Sequence, residues 1–313
     1  MDIHYGYDSL TFANPVVTAG IFDGVHAGHR FLLEKLCSRA RELKGTSVAI
    51  TFEPHPRLVL GGIDKRPFLL STLQEKIELI EKTKLDHLVV IDFNRSFSRI
   101  EAGEFIEKIL VRKIGVKHLI SGHDHHFGKH GEGEYDLIQE YAYRYGFTAE
   151  KIGEIKTAEG TVSSSSIRAA LIQGNLQLAN KWLGYNYFIK GKVIRGLQMG
   201  RALGFPTANI KPGDRFKLIP ANGVYAVKVS LEGQIMPGIL STGTNPTVNR
   251  NETKKSIEVH IFDFEGDIYG KQIRVEFLHR LREEKKFDSL AELAGQINTD
   301  MQQAKDFFSG GID

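Results

Sequence analysis

The sequence predicts an open α/β unit in the first half of the chain and a small all-β unit in the second, closed by a C-terminal helix. Three observations point there. Short apolar runs alternate with helical patterns as far as about Leu183, as in a parallel α/β sheet. From Tyr187 the runs become short and β-rich, with Gly or Pro turns between them, as in an antiparallel barrel or sandwich. Ser289 to Phe308 then returns to helical spacing. The boundary is placed between Trp182 and Tyr187, giving domains 1–183 and 187–313.

In chain order, Pro15 to Phe22 reads as a buried strand. His29 to Lys44 reads as a helix, because Leu32, Leu33, Leu36, Ala40 and Leu43 share one side. Ser47–Phe52, Leu88–Ile91, His118–Ser121 and Thr148–Ile152 supply further strands. Leu73–Lys82, Phe105–Val111 and Tyr135–Tyr145 supply the helices between them. In the second half, Tyr187–Ile194, Val224–Leu231, Ile235–Leu240, Ile257–Phe262 and Ile268–Phe277 read as strands. The last helix carries Leu290, Leu293, Ile297, Met301 and Phe308 on its apolar side.

Composition narrows the function classes. The chain has 313 residues and is 41% hydrophobic, enough for two ordinary cores. Lys plus Arg is 41 and Asp plus Glu is 38, so a net charge of +3 gives no reason to expect a nucleic-acid partner. No apolar run approaches the roughly 20 residues that span a bilayer, and no membrane partner is expected. Cys37 is the single cysteine, and Met1 to Leu10 lacks a signal pattern. Both fit a cytoplasmic protein.

The first candidate site is Ile21-Phe22-Asp23-Gly24-Val25-His26-Ala27-Gly28-His29, between a strand and a helix. Ligands of parallel sheets bind at the carboxyl ends of strands. A helix N-terminus there offers free N–H groups to a phosphate. Phe22, Asp23, Gly24, His26 and His29 are therefore candidates for an ATP phosphate site, with cationic histidines answering the charge on departing pyrophosphate. Two helix-start histidines can equally be simple caps. Ser163-Ser164-Ser165-Ser166-Ile167-Arg168 precedes another helix, where its hydroxyls either cap or hold phosphate. Arg168 adds a cationic fork. The loop from Ser121 to Gly131 carries four histidines and suits either nucleotide or, less well, a metal. It is not a P-loop, because Gly122 and Gly128-Lys129 lie one residue too far apart.

The second candidate site combines two segments. Gly200-Arg201-Ala202-Leu203-Gly204-Phe205-Pro206-Thr207-Ala208-Asn209 offers neutral oxygens suited to Mg²⁺, or is an ordinary Gly/Pro loop. In Ser256–Phe262, alternation puts Glu258 and His260 on one face of a strand. Glu258 there is either a general base or a solvated carboxylate.

Here a resemblance enters. FDGVHAGH, TFEPHP at 51–56, RPFLLST at 66–72, DHHFGKHGEG and SSSSIR, in this order, resemble the FMN adenylyltransferase half of prokaryotic bifunctional riboflavin kinase/FAD synthetases. GRALGFPTANI, IPANGVYAV, GTNPT, IEVHIFDFEGDIYG and LREEKKF resemble their riboflavin kinase half. The resemblance implies a nucleotidyltransferase fold related to class I aminoacyl-tRNA synthetases, then a six-stranded antiparallel barrel with a C-terminal helix. It implies ATP, riboflavin, FMN and FAD as partners and Mg²⁺ as cofactor. His26, His29, Ser164, Ser165 and Arg168 would hold the triphosphate, while Asp124 and Phe127 would help enclose nucleotide or flavin. Thr207 and Asn209 would bind Mg²⁺ and phosphates, and Glu258 would be the base. The loops around Arg201, with Gly200, and around Arg282 would clamp nucleotide and flavin. One departure is the pair His125-His126, where many members carry Phe-Arg.

Overall fold

The computed structural model describes residues 1–61, 68–122, 135–153, 156–196, 204–245 and 254–310. The chain divides into two compact units, Met1–Ser164 and Ser165–Asp313.

The first unit runs β1 (Asp2–Tyr5), β2 (Val16–Ala19), α1 (Ala27–Glu42), β3 (Ser47–Glu53), α2 (Pro56–Leu60), α3 (Leu73–Glu81) and β4 (His87–Asp92). It continues with α4 (102–114), β5 (His118–Ser121), α5 (Tyr135–Tyr145), β6 (Thr148–Lys151) and the short pair β7 (Lys156–Thr157) and β8 (Gly160–Thr161). Six strands form a sheet in the order β1-β4-β3-β2-β5-β6, and every pairing in it is parallel. Alternate residues of these strands, among them Val17, Ala19, Val48, Ile50, Val89 and Ile91, pack against Phe105, Ile109 and Leu110 of α4 and Ile138 of α5. The strand order reverses about β2, whose neighbours are β3 and β5. The loop after β2 therefore opens where a parallel sheet leaves a crevice.

The predicted strand from Pro15 ends early, at Ala19. Phe22 (φ 50°), Gly24 (φ 78°) and Val25 (φ 36°) take left-handed backbone that a strand does not accept. Phe22 and Val25 are fully buried, and this burial holds them there. The edge strand β1 and the helix α2 were not expected from the sequence.

Helix α6 (Ser164–Gln173) starts on the last residue of the first unit, and α7 (Leu176–Leu183) follows. In the second unit β9 (Phe188–Ile194), β10 (Ala208–Pro212), β11 (Gly223–Leu231), β12 (Gln234–Asn245), β13 (Lys254–Ile261) and β14 (Gln272–Glu283) close into a barrel. Its order is β10-β13-β12-β11-β14-β9, all antiparallel. Of barrel and sandwich, the chain takes the barrel. Segment 208–212, which read as loop, is a strand. The last strand starts at Gln272 and not Ile268, because Gly270 (φ 81°) breaks the extended run. Helix α8 (Leu290–Ser309) begins at Ser289, whose side chain caps Glu292 N–H. Its Ala304, with Ile297, Met301 and Phe308, packs on Val224, Ala226, Ile239 and Phe262 of the barrel.

Candidate active sites

The loop after β2 delivers His26 to the N-cap of α1, where Nδ1 accepts from His29 N–H at 3.4 Å. That bond makes Nδ1 the unprotonated nitrogen, so a neutral His26 carries its proton on Nε2. The rings of His26 and His29 stack with centroids 3.6 Å apart, and Phe22 meets His29 edge-on at 5.3 Å. A Cβ on Gly28 would come within 3.1 Å of the His26 ring, which would have to give by a few tenths of an ångström. Burial holds His29 well below the usual histidine range, and the nearby His26 and Lys76 add to the effect. Cationic histidines were expected here. At His29 burial, and then the stacked imidazole of His26 and the buried Lys76, oppose such a charge.

Asp23 is 2% exposed. Its carboxylate accepts from the N–H groups of Leu70 (3.1 Å) and Ser71 (3.0 Å) and from Ser71 Oγ (3.4 Å). Ser71 Oγ in turn accepts from Gly24 N–H at 2.9 Å. Ser164 Oγ donates to the carbonyl of Asp23 at 3.0 Å. Asp23 thus anchors the loop to 69–71, and Ser164 reaches the same loop from the start of α6. Ser165 is exposed and Arg168 half-buried in the first turns of that helix. Leu70, Ser71, Thr51 and Lys76 were not singled out in the sequence. RPFLLST was read only as a matching motif, and its anchoring role shows in the bonds it makes.

In the barrel, Asn209 on β10 lies opposite Glu258 on β13. Thr207 Oγ1 donates to Glu258 Oε2 at 3.3 Å. Three residues singled out from two distant segments therefore meet. Ile257, Val259 and Ile261 are buried, while Glu258 and His260 are half-buried on the other face. His260 Nδ1 lies 2.8 Å from the carbonyl of Pro206 and ties the approach to Thr207 down onto β13. A Cβ on Gly196 would overlap the side-chain amide of Asn209.

Arg282 makes a two-pronged contact with Asp300 of α8, with Nε at 2.8 Å and 3.0 Å and Nη2 at 2.8 Å. Its fork is thus engaged within the barrel unit. Gly200, Arg201, Asp124, Phe127, His125 and His126 lie outside the described residues.

Two family models divide the chain between them. The FAD synthetase model matches residues 10–166, and the riboflavin kinase model matches residues 183–308. A bifunctional riboflavin kinase/FMN adenylyltransferase from Haemophilus influenzae is 41% identical over 94% of both chains. The chain belongs to the bifunctional riboflavin kinase/FMN adenylyltransferase family. A second member, from Bacillus subtilis, is 38% identical over 95% of this chain and 93% of its own. A solved structure described as a macrolide-efflux protein from Streptococcus pneumoniae has a TM-score of 0.88 at 29% identity, covering 98% of this chain and 99% of that one. Among the described residues no helix is long and apolar enough to cross a membrane. Of the candidate residues, Phe22 to His29, Ser164 and Ser165 fall in the FAD synthetase match, whereas Thr207, Asn209, Glu258 and Arg282 fall in the riboflavin kinase match.

Proposed function

We propose that residues 187–313 phosphorylate riboflavin to FMN and that residues 1–183 adenylylate FMN to FAD, both with ATP, in the cytoplasm. The meeting of Thr207, Asn209 and Glu258 carries the reading. A carboxylate stands beside two neutral oxygens there, an arrangement that suits taking an alcohol's proton and sharing a phosphate-bound cation. Glu258 takes the proton of the ribityl 5′-hydroxyl as its oxygen bonds the γ-phosphorus of ATP, and ADP leaves. Thr207 Oγ1 and the Asn209 amide oxygen suit Mg²⁺, a hard cation that takes oxygen ligands and shares phosphates. That cation supplies charge neutralisation on the phosphates.

Adenylyl transfer needs no protein base, since the phosphate of FMN is already ionised near neutral pH, its second pKa being about 6. A phosphate oxygen of FMN bonds the α-phosphorus, and pyrophosphate leaves. His26, with its proton on Nε2, donates to the phosphates. His29, Phe22 and Gly24 shape the cradle, and Asp23 holds it from behind. Ser164, Ser165 and Arg168 complete the triphosphate contacts. Asp124, Phe127 and Arg282 remain part of the flavin reading, and Gly200 and Arg201 part of the kinase nucleotide loop.

A chromatographic time course with riboflavin, ATP and Mg²⁺ tests both assignments. Wild type makes FMN and then FAD. Glu258→Gln leaves riboflavin unconverted yet turns supplied FMN into FAD. His29→Ala accumulates FMN. Flavin binding without ATP consumption would sink the reading.

A further inference from the structure

Lys76 stands in the first turn of α3 and is 3% exposed. A buried ammonium is costly unless something answers its charge. Its Nζ donates to Thr51 Oγ1 on β3 at 3.3 Å, and Thr51 Oγ1 donates its own proton to the carbonyl of Ile21 at 3.2 Å. A hydroxyl can accept and donate at once, so the three groups form a continuous relay. The relay ends on the residue that precedes Phe22, where the backbone turns left-handed. The residues just before Lys76 hold the same loop further along: Leu70 N–H and Ser71 N–H donate to Asp23, and Gly24 N–H donates to Ser71 Oγ. Thr72 and Glu75 lock the start of α3 in a reciprocal capping box, which fixes where Lys76 emerges. The titratable groups facing Lys76 are Glu53 from β3, Asp23 from the loop and His29 from α1, which itself faces His26.

We propose that Lys76 is a positioning residue for the FMN-adenylylating step, its buried ammonium holding the histidine loop in place through Thr51 and Ile21. The proposal rests on the functional reading of the first half. Three consequences follow from the geometry. The ammonium fixes the entry of the loop, so the Nε2 of His26 is presented in one position. It sets a positive charge behind His29 and so favours the neutral ring. The carboxylates of Glu53 and Asp23 counter part of its burial cost, although burial still lowers its pKa. At 3% exposure Lys76 is screened from a bound substrate and acts through the loop.

The test uses the full chain, with two activities read separately. In Lys76→Met, kcat for FMN plus ATP falls by about 100-fold, the scale expected when a reacting geometry is lost. Riboflavin phosphorylation by the same chains stays at the wild-type rate, and an unchanged circular-dichroism spectrum and melting profile show that the first unit, which holds Lys76, is still folded. The KM for ATP changes far less than kcat. The acid limb of the adenylylation pH profile moves to higher pH, because His29 then takes a proton more readily. Lys76→Arg, which keeps a cation in the slot, restores part of the rate.

A K76M chain with near-normal kcat and an unmoved pH profile would overturn the proposal. If K76M unfolds the first unit, as a lost melting transition would show, Thr51→Val decides instead, since it keeps the lysine and cuts the relay. A roughly tenfold loss confined to adenylylation then supports the proposal, and a wild-type rate refutes it. Wild-type protein that makes no FAD from FMN and ATP would instead refute the underlying functional reading.

Discussion

Protonating His29 is harder in the folded chain than in the unfolded one, because burial, His26 and Lys76 all oppose the charge. The unfolded ring takes a proton below about pH 6.5, while the folded ring resists it, so stability falls as pH drops through that value. Each unit of depression is worth about 1.4 kcal/mol once both states have titrated. His29→Asn should therefore flatten the decline of melting temperature between pH 7 and pH 5, followed by circular dichroism. Part of the decline should remain, since His87 and His118 are also held low, chiefly by burial. An unchanged slope would remove His29 from this account. The sequence revealed His26 and His29 through their spacing and their place at a helix start. It did not reveal how strongly the fold opposes a proton on His29, which is set by burial, by His26 and by Lys76, some 50 residues away in the chain. A signal for Lys76 existed: it lies three and four residues before the buried Leu79 and Ile80, on the inward face of α3.

At the scale of elements, the strands and helices with strong period were legible, and those set by neighbours were not. β10 holds only five residues, Ala208–Pro212, and ends in proline. It is a strand because β9 and β13 pair with it on both sides. That pairing brings Asn209 opposite Glu258, so the missed strand is also what assembles the second candidate site. The same hairpin explains Gly196. Gly196→Ala would push the amide of Asn209 aside and should lower riboflavin phosphorylation by about tenfold, while adenylylation of supplied FMN is unchanged. A lowered melting temperature beside the lost rate would point to a folding defect of the barrel instead. α8 was legible as a helix, but its attachment was not. It docks through Phe262 and the Asp300 carboxylate, 1% exposed, that Arg282 grips.

At the scale of the whole molecule, each candidate constellation has its decisive groups within one compact unit: His26 and His29 in the first, and Thr207, Asn209 and Glu258 in the second. Chains disabled at one step should therefore complement chains disabled at the other. An equimolar mixture of Glu258→Gln and His29→Ala proteins should make FAD from riboflavin after a lag in which free FMN builds up. No FAD from the mixture would mean that FMN must pass within one chain. The closed barrel has a further consequence. β9 pairs with β14, and Lys192 meets Gln272 about 80 residues later in the chain. At roughly 5–20 residues per second on the ribosome, β9 waits several seconds for that neighbour to be made. The parallel sheet of the first unit is already fully synthesised by then. The nascent second unit thus has a period in which a strand edge stands open, and its shielding during translation falls to whatever meets the chain at the exit tunnel.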